Sequence, residues 1–245
     1  MSALHSVLSA VRQFLLDPRA FFEDRGTAST LPLAALVVVG LAIALAVGVT
    51  ILGGILAGTV DGTVMVDNPD RPPQGICDAF DNDSPATEGC EEPAEIERDA
   101  GSLVREAANG FLGTVVVAPF LLWLAGGVTV YLGGLLAGGD TSLSGSFSVA
   151  GWAAVPEFGR LVAGIAILQF ALADVTITNL ETAPEAVRTA IAPVEPYIAL
   201  ATVLTAAWQL YILSAGLSIE ADIDRPRAAA IMGVPLALFV LSTLL

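Results

Sequence analysis

Glu157 and Arg160 are the residues of this sequence whose types and spacing best suit chemistry, because they stand three apart on one helical face inside a long apolar stretch. A charged pair at membrane depth marks a polar site, such as a guarded cavity or a solute pathway. The same pair nearer an interface is simply wet, with Pro156 opening the helix and Trp152 anchoring it at headgroup level. The residue types leave both readings standing. Gln169 and Gln209 also lie within apolar runs and are read as hydrogen-bonding to neighbouring helices. His5 is the only histidine and sits near the N-terminus, which excludes Ser-His-Asp triads, Cys-His pairs and histidine-rich metal sites. The chain has no lysine, so a phosphate-cradling loop ending in Lys is excluded as well. No catalytic residue and no cofactor is expected, and an intramembrane enzyme would lack its chemical groups.

Two further clusters lie in one hydrophilic segment. The run Asp78-Ala79-Phe80-Asp81-Asn82-Asp83 offers hard oxygen ligands, but counting from Asp81 puts Pro85 fifth and Ala86 sixth, where a calcium loop needs glycine. It reads as a solvated acidic surface, with no dedicated metal site. Cys77 and Cys90, with twelve residues between them, are spaced for a disulfide in an oxidising medium. The alternative is a pair of free thiols.

These groups must be positioned by helices in lipid. The 245 residues are 55% hydrophobic and only 14% charged, with a mean hydropathy of +0.75. An ordinary soluble domain carries nearer a quarter charged residues. A bilayer core about 30 Å thick takes about 20 apolar residues per helical crossing. Apolar runs predict five spans, at about 31–60, 111–136, 156–177, 194–217 and 228–245. The expected fold is all-α, a polytopic membrane helix bundle. Before it, residues 1–30 form a cytoplasmic segment in which Leu4, Val7, Leu8, Val11, Phe14 and Leu15 recur with helical spacing. Such an amphipathic helix lies in the membrane interface or packs on the end of the bundle. Asp17-Pro18 stops it.

The net charge of −15 is concentrated: between Asp61 and Glu106 stand 13 acids and three arginines. The insertion 61–107 is therefore read as a long, irregular, extracellular acidic loop, with a polar helix over 91–109 leading into the second span. Acid in the aqueous segments, with arginine as the only cation besides the histidine, reads as a halophilic, salt-adapted surface. It argues against nucleic acid as a partner. Arginines near span ends favour a cytoplasmic N-terminus: Arg12, Arg19, Arg25, Arg160, Arg225 and Arg227 fall inside, against Arg71, Arg98, Arg105 and Arg188 outside. Small-residue spacings at Gly54/Gly58 and Gly134/Gly138 suggest close helix contacts, and Pro119 is placed to kink the second span.

The order of these features resembles the Yip domain family, membrane proteins named for binding Ypt/Rab GTPases in eukaryotes. The resemblance runs through Leu16-Asp17-Pro18-Arg19-Ala20-Phe21-Phe22, the span after Pro32, Ala153-Ala154-Val155-Pro156, and Trp208-Gln209-Leu210-Tyr211 with Leu217. The acidic loop with its two cysteines departs from the pattern as an insertion. The resemblance implies a five-span bundle with a cytoplasmic N-terminus and a role in membrane traffic or organisation through protein partners. The reading is a non-enzymatic scaffold of the cell membrane, with lipid, other membrane proteins or further copies of itself as its contacts. Rab binding belongs to members with longer N-terminal regions, so it is not carried over. The rival reading is a small permease or channel with its polar site near Glu157 and Arg160.

Overall fold

The computed structural model describes residues 11–79, 88–178 and 182–244, with side chains through residue 242. His5, the helical face of Leu4, Val7 and Leu8, the acids Asp81 and Asp83 with Pro85 and Ala86, and Glu181 lie outside the described residues.

Residues 11–16 are helical. Asp17 then caps a second short helix, α1 (Pro18–Arg25), its carboxylate accepting from Ala20 N at 3.1 Å, with Pro18 in the first turn where no N–H is missed. The pair folds back on the bundle. Phe14, Phe21 and Phe22 are buried, their rings meeting edge to face. Trp152 closes the cluster, 4.6 Å from Phe14 and 4.9 Å from Phe21 between ring centroids. The N-terminal segment thus packs against the end of the bundle, and Trp152 belongs to that packing.

Among the described residues five helical stretches are long and apolar enough to cross a membrane. The first is α2 (Leu31–Thr59). The second joins α4 (Ala100–Gly110) to α5 (Leu112–Leu136), and the third pairs α6 (Leu143–Trp152) with α7 (Val155–Leu172). A short helix, α3 (Gln74–Ala79), precedes these in the acidic segment. The fourth stretch runs from α8 (Ala183–Ile191) through a turn of 3-10 helix into α9 (Glu195–Glu220), and α10 (Arg225–Leu244) is the fifth. Leu33, Leu36, Ile43, Val47 and Ile51 form an exposed apolar stripe along α2, and Leu200, Val203 and Leu204 do so on α9. Such a perimeter is stable only against lipid.

Between lipid-solvated helices burial of apolar surface gives little driving force, so close approach at small residues and polar contacts hold them together. A side chain at Gly127 would meet the Phe147 ring at 2.7 Å, and one at Gly216 would meet Val149 at 2.6 Å. Thus α6 is wedged between α5 and α9. Thr30 and Ser148, both buried, share a hydrogen bond at 2.8 Å that ties α6 to the entry of α2. The hydrophobic core cluster lies at this end, where Val149, Ile212, Leu217 and Met232 pack with the phenylalanines.

Several expectations are corrected. Among the described residues, a side chain at Gly54 or Gly58 would meet nothing; the close contact is one residue earlier, where Gly53 faces Ala108 and the Ala57 carbonyl approaches Gly101. The reason is that α4 continues helical above the second span and lies along α2, which selects a face that spacing alone did not specify. Gly138 likewise makes no contact but ends α5, with φ of 72°, the Gly139 N–H bonding Gly134 O and the Gly138 N–H bonding Leu135 O. The third span is broken, and it begins and ends earlier than 156–177, running from Leu143 to Leu172. Pro156 supplies no N–H, so α6 and α7 meet at a turn through Ala153-Ala154. At its far end α7 stops at Leu172, because the β-branched run Val175-Thr176-Ile177 extends and Ile177 pairs with Val60. The connector before the fourth span contains α8.

The acidic loop is also more ordered than expected. Strands β1 (Thr63–Asp67) and β2 (Glu95–Asp99) pair antiparallel, Val64 opposite Arg98 and Val66 opposite Ile96. These four residues are the half-buried face of the ribbon. The polar helix begins only at Ala100, capped by Asp99, whose carboxylate accepts from Ser102 N at 2.7 Å. Cys77 and Cys90 form a disulfide with Cα atoms 5.7 Å apart. Reduction of the intact chain is expected to add the mass of two hydrogens, and Cys77→Ser with Cys90→Ser to cost the cap about 2–4 kcal/mol of local stability. An unchanged mass on reduction, with both thiols alkylated beforehand, contradicts the bond.

Candidate functional site

The polar residues singled out in the apolar stretches converge, with two exceptions. Glu157 lies in the first turn of α7 and Arg160 three residues on, so helical spacing sets them side by side. Arg160 Nε donates to Glu157 Oε2 at 2.7 Å. From across the bundle Gln209 Nε2 donates to Glu157 Oε1 at 2.9 Å. Both carboxylate oxygens are thereby occupied, one by each neighbour. Trp152 is turned away into the aromatic cluster, and Gln169 is exposed on α7 with no part in the triad. Pro156 is buried beside Glu157 and opens the helix there.

Two independent registers give the depth of the triad. Gln209 is 11 residues from the end of α9 at Glu220, which at 1.5 Å per residue is about 16 Å. Phe158 meets Gly40, nine residues into α2 from Leu31, or about 14 Å. The triad therefore stands well inside the helical stack. Glu157 is 21% exposed and Arg160 46%, so the carboxylate faces inward and the guanidinium outward.

The triad forms one wall of a cavity of about 370 Å³ between α2, α5, α6, α7, α9 and α10. That volume is in the range of small-molecule sites. The other walls are apolar, including Leu41, Leu45, Leu122 and Met232, apart from Thr129 and from Trp123, whose N–H is already donated to Phe147 O at 2.7 Å. Both helix-interior prolines, Pro119 of α5 and Pro235 of α10, line it. A proline inside a helix frees the carbonyl four residues earlier and cannot pack as an unbroken turn does, which favours a gap between these two helices. Below the gap α10 touches α5, where Ile231 and Met232 meet Gly133. The sequence pairs Glu157 with Arg160 but leaves Gln209 and Pro119 apart from them; their meeting depends on a fold that brings Gln209 to Glu157 across 52 residues of chain.

A second polar junction was missed. Glu220, at the end of α9, accepts from Ser142 N and Ser142 Oγ, each at 2.7 Å, and from Thr27 Oγ1. Ser142 is also the N-cap of α6, its hydroxyl accepting from Gly145 N at 3.0 Å. The carboxylate thus sits at a helix N-terminus, where the dipole favours it. It ties α9, α6 and the N-terminal segment in one place.

Among the described residues no group of three or more His, Cys, Asp or Glu is arranged to hold a metal. Compared with protein families, the chain matches the Yip1 domain over residues 12–245. Compared with curated proteins and with solved structures, it finds no match.

Proposed function

The chain belongs to the Yip1 domain family, and from that premise we propose that it is a non-enzymatic scaffold of the cell membrane, which organises the bilayer or binds partner proteins from a cytoplasmic N-terminal face. The observation that carries this reading is the anchoring of the N-terminal segment. Phe21 and Phe22 are at most 1% exposed, so α1 is a fixed part of the bundle's end and presents Arg19, Glu23 and Asp24 outward on a rigid support. A pre-organised polar surface loses little entropy on binding a partner. Orientation is supported by the disulfide in the cap, which suits an oxidising exterior, and by five arginines at the N-terminal end against four at the other once Arg160 is placed within the bundle.

Cross-linking in native membranes followed by purification of the tagged chain tests the proposal. A scaffold retains a second protein, or a second copy, in fixed proportion, and charge reversal at Arg19 and Glu23 lowers the yield. Purification of the chain alone, at every cross-linker length, defeats it.

The cavity supports a second reading, a small permease. Reconstituted in vesicles, the scaffold leaves ion and solute flux at the level of empty vesicles. Flux above that level, abolished by Glu157→Gln and Arg160→Gln together, replaces the first reading with the second.

A further inference from the structure

The cavity is built like a ligand site whose polar end is only partly used. Among the described residues Arg160 bonds through Nε alone, and its two terminal nitrogens have no protein partner. A guanidinium carries five N–H groups, so four remain as donors, on a side chain 46% exposed at a level where the bundle's surface is apolar. Unsatisfied donors in hydrocarbon are costly. Glu157 has no oxygen without a bond, so the wall offers donors in excess and a ligand must bring acceptors. It must also be uncharged at that end: Glu157 already neutralises Arg160, and an anion drawn to the guanidinium would meet the carboxylate only a hydrogen bond away.

The remaining walls fix the rest of the molecule. They are apolar but for Thr129 and Trp123, whose donors are spent on Ala125 O and Phe147 O. Such walls suit a hydrocarbon chain and not a hydrated ion, whose passage needs polar groups at intervals. Leu122, Arg160 and Phe239 line the cavity and are also exposed at the surface, so it opens sideways onto the apolar perimeter. We propose that this cavity binds a lipid with an uncharged, acceptor-bearing head, of the diacylglycerol class, entering laterally from the bilayer, with its ester carbonyls on Arg160 and Gln209 and a chain along Leu41, Leu45 and Met232. This goes beyond the scaffold reading and does not depend on which protein partner is captured.

The test uses the full chain in detergent with Trp208→Phe, which removes an exposed indole on the perimeter and leaves Trp123 in the cavity wall and Trp152 packed in the aromatic cluster outside it. The probe is a diacylglycerol with brominated chains, since bromine quenches indole only at close range. Phosphatidic acid with the same chains is the charged comparison. The expected result is saturable quenching by the diacylglycerol, about tenfold tighter than by phosphatidic acid and weakened about tenfold by Arg160→Gln. Ala118→Phe, which fills the apolar part without touching the triad, abolishes it, and decides alone where Arg160→Gln yields no folded protein. Quenching that rises without saturation and equally for both lipids overturns the proposal. So does tighter binding of phosphatidic acid, or saturable binding that Ala118→Phe leaves unchanged. Each of these is read without cross-linking, so failure here is separate from failure of partner capture.

Discussion

Phe22→Ala is expected to lower the stability of the detergent-solubilised chain by about 3–5 kcal/mol, the cost of removing a fully buried aromatic ring whose cavity cannot collapse. Phe22 is 0% exposed and touches rings on two sides, Phe14 at 6.5 Å and Phe21 at 5.4 Å between centroids. The loss is local before it is global. Among the described residues, the hydrogen bond that ties residues 11–25 to a distant part of the bundle is Tyr211 Oη on Leu16 O at 3.4 Å, so the aromatic cluster is what fixes them. Limited trypsin digestion is therefore expected to cut the variant faster at Arg12, Arg19 and Arg25 while the transmembrane bundle survives. Tryptophan emission moves to longer wavelength as Trp152, packed on Phe14 and Phe21, gains water. If cleavage at these arginines is unchanged, the segment is held by something other than this cluster. The rigid surface proposed for partner binding then has no basis.

The sequence's legible parts were those with a local cause. Five spans follow from the length of chain that lipid requires, whatever the helices touch. The Glu157–Arg160 pair follows from helical spacing. The helical face of the N-terminal segment was legible in period but not in phase: Phe14 is buried, whereas Val11 and Leu15 are exposed, because the turn at Asp17-Pro18 brings Phe21 and Phe22 onto the same side. The strands of the cap had a signal that net charge obscured. Thr63-Val64-Met65-Val66-Asp67 and Glu95-Ile96-Glu97-Arg98-Asp99 alternate with period two, the mark of a half-buried strand. What no local pattern carries is a contact between distant segments. Gly53 against Ala108 and Gln209 against Glu157 are both of that kind. Spacing shows that two small or polar residues share a face and leaves open which neighbour meets it.

Glu220 is the strongest case of such a contact, since its partners Ser142 and Thr27 are 78 and 193 residues away along the chain. Glu220→Ala removes the acceptor of three hydrogen bonds, two of them to the residue that caps α6. A cost of about 3 kcal/mol is expected, in keeping with about 1.5–3 kcal/mol for a hydrogen bond to a charged group and with the partial exposure of the site. Gly145 makes the expectation sharper. A Cβ there would overlap the Glu220 carboxylate itself, so Gly145→Ala can be accommodated only if the carboxylate leaves its three donors. The two substitutions therefore remove one and the same set of interactions. In a double-mutant cycle read by thermal unfolding in detergent, Gly145→Ala is expected to cost about as much as Glu220→Ala alone, and to cost little more in the Glu220→Ala background. A glycine needed for its backbone would cost the same in both backgrounds, whereas helix propensity alone favours alanine at this position within α6. Additive effects would mean that the junction of α9, α6 and the N-terminal segment is not held through this carboxylate. Strong non-additivity identifies Glu220 as the group that holds the wedge helix against α9 at the end of the bundle where the N-terminal segment is docked.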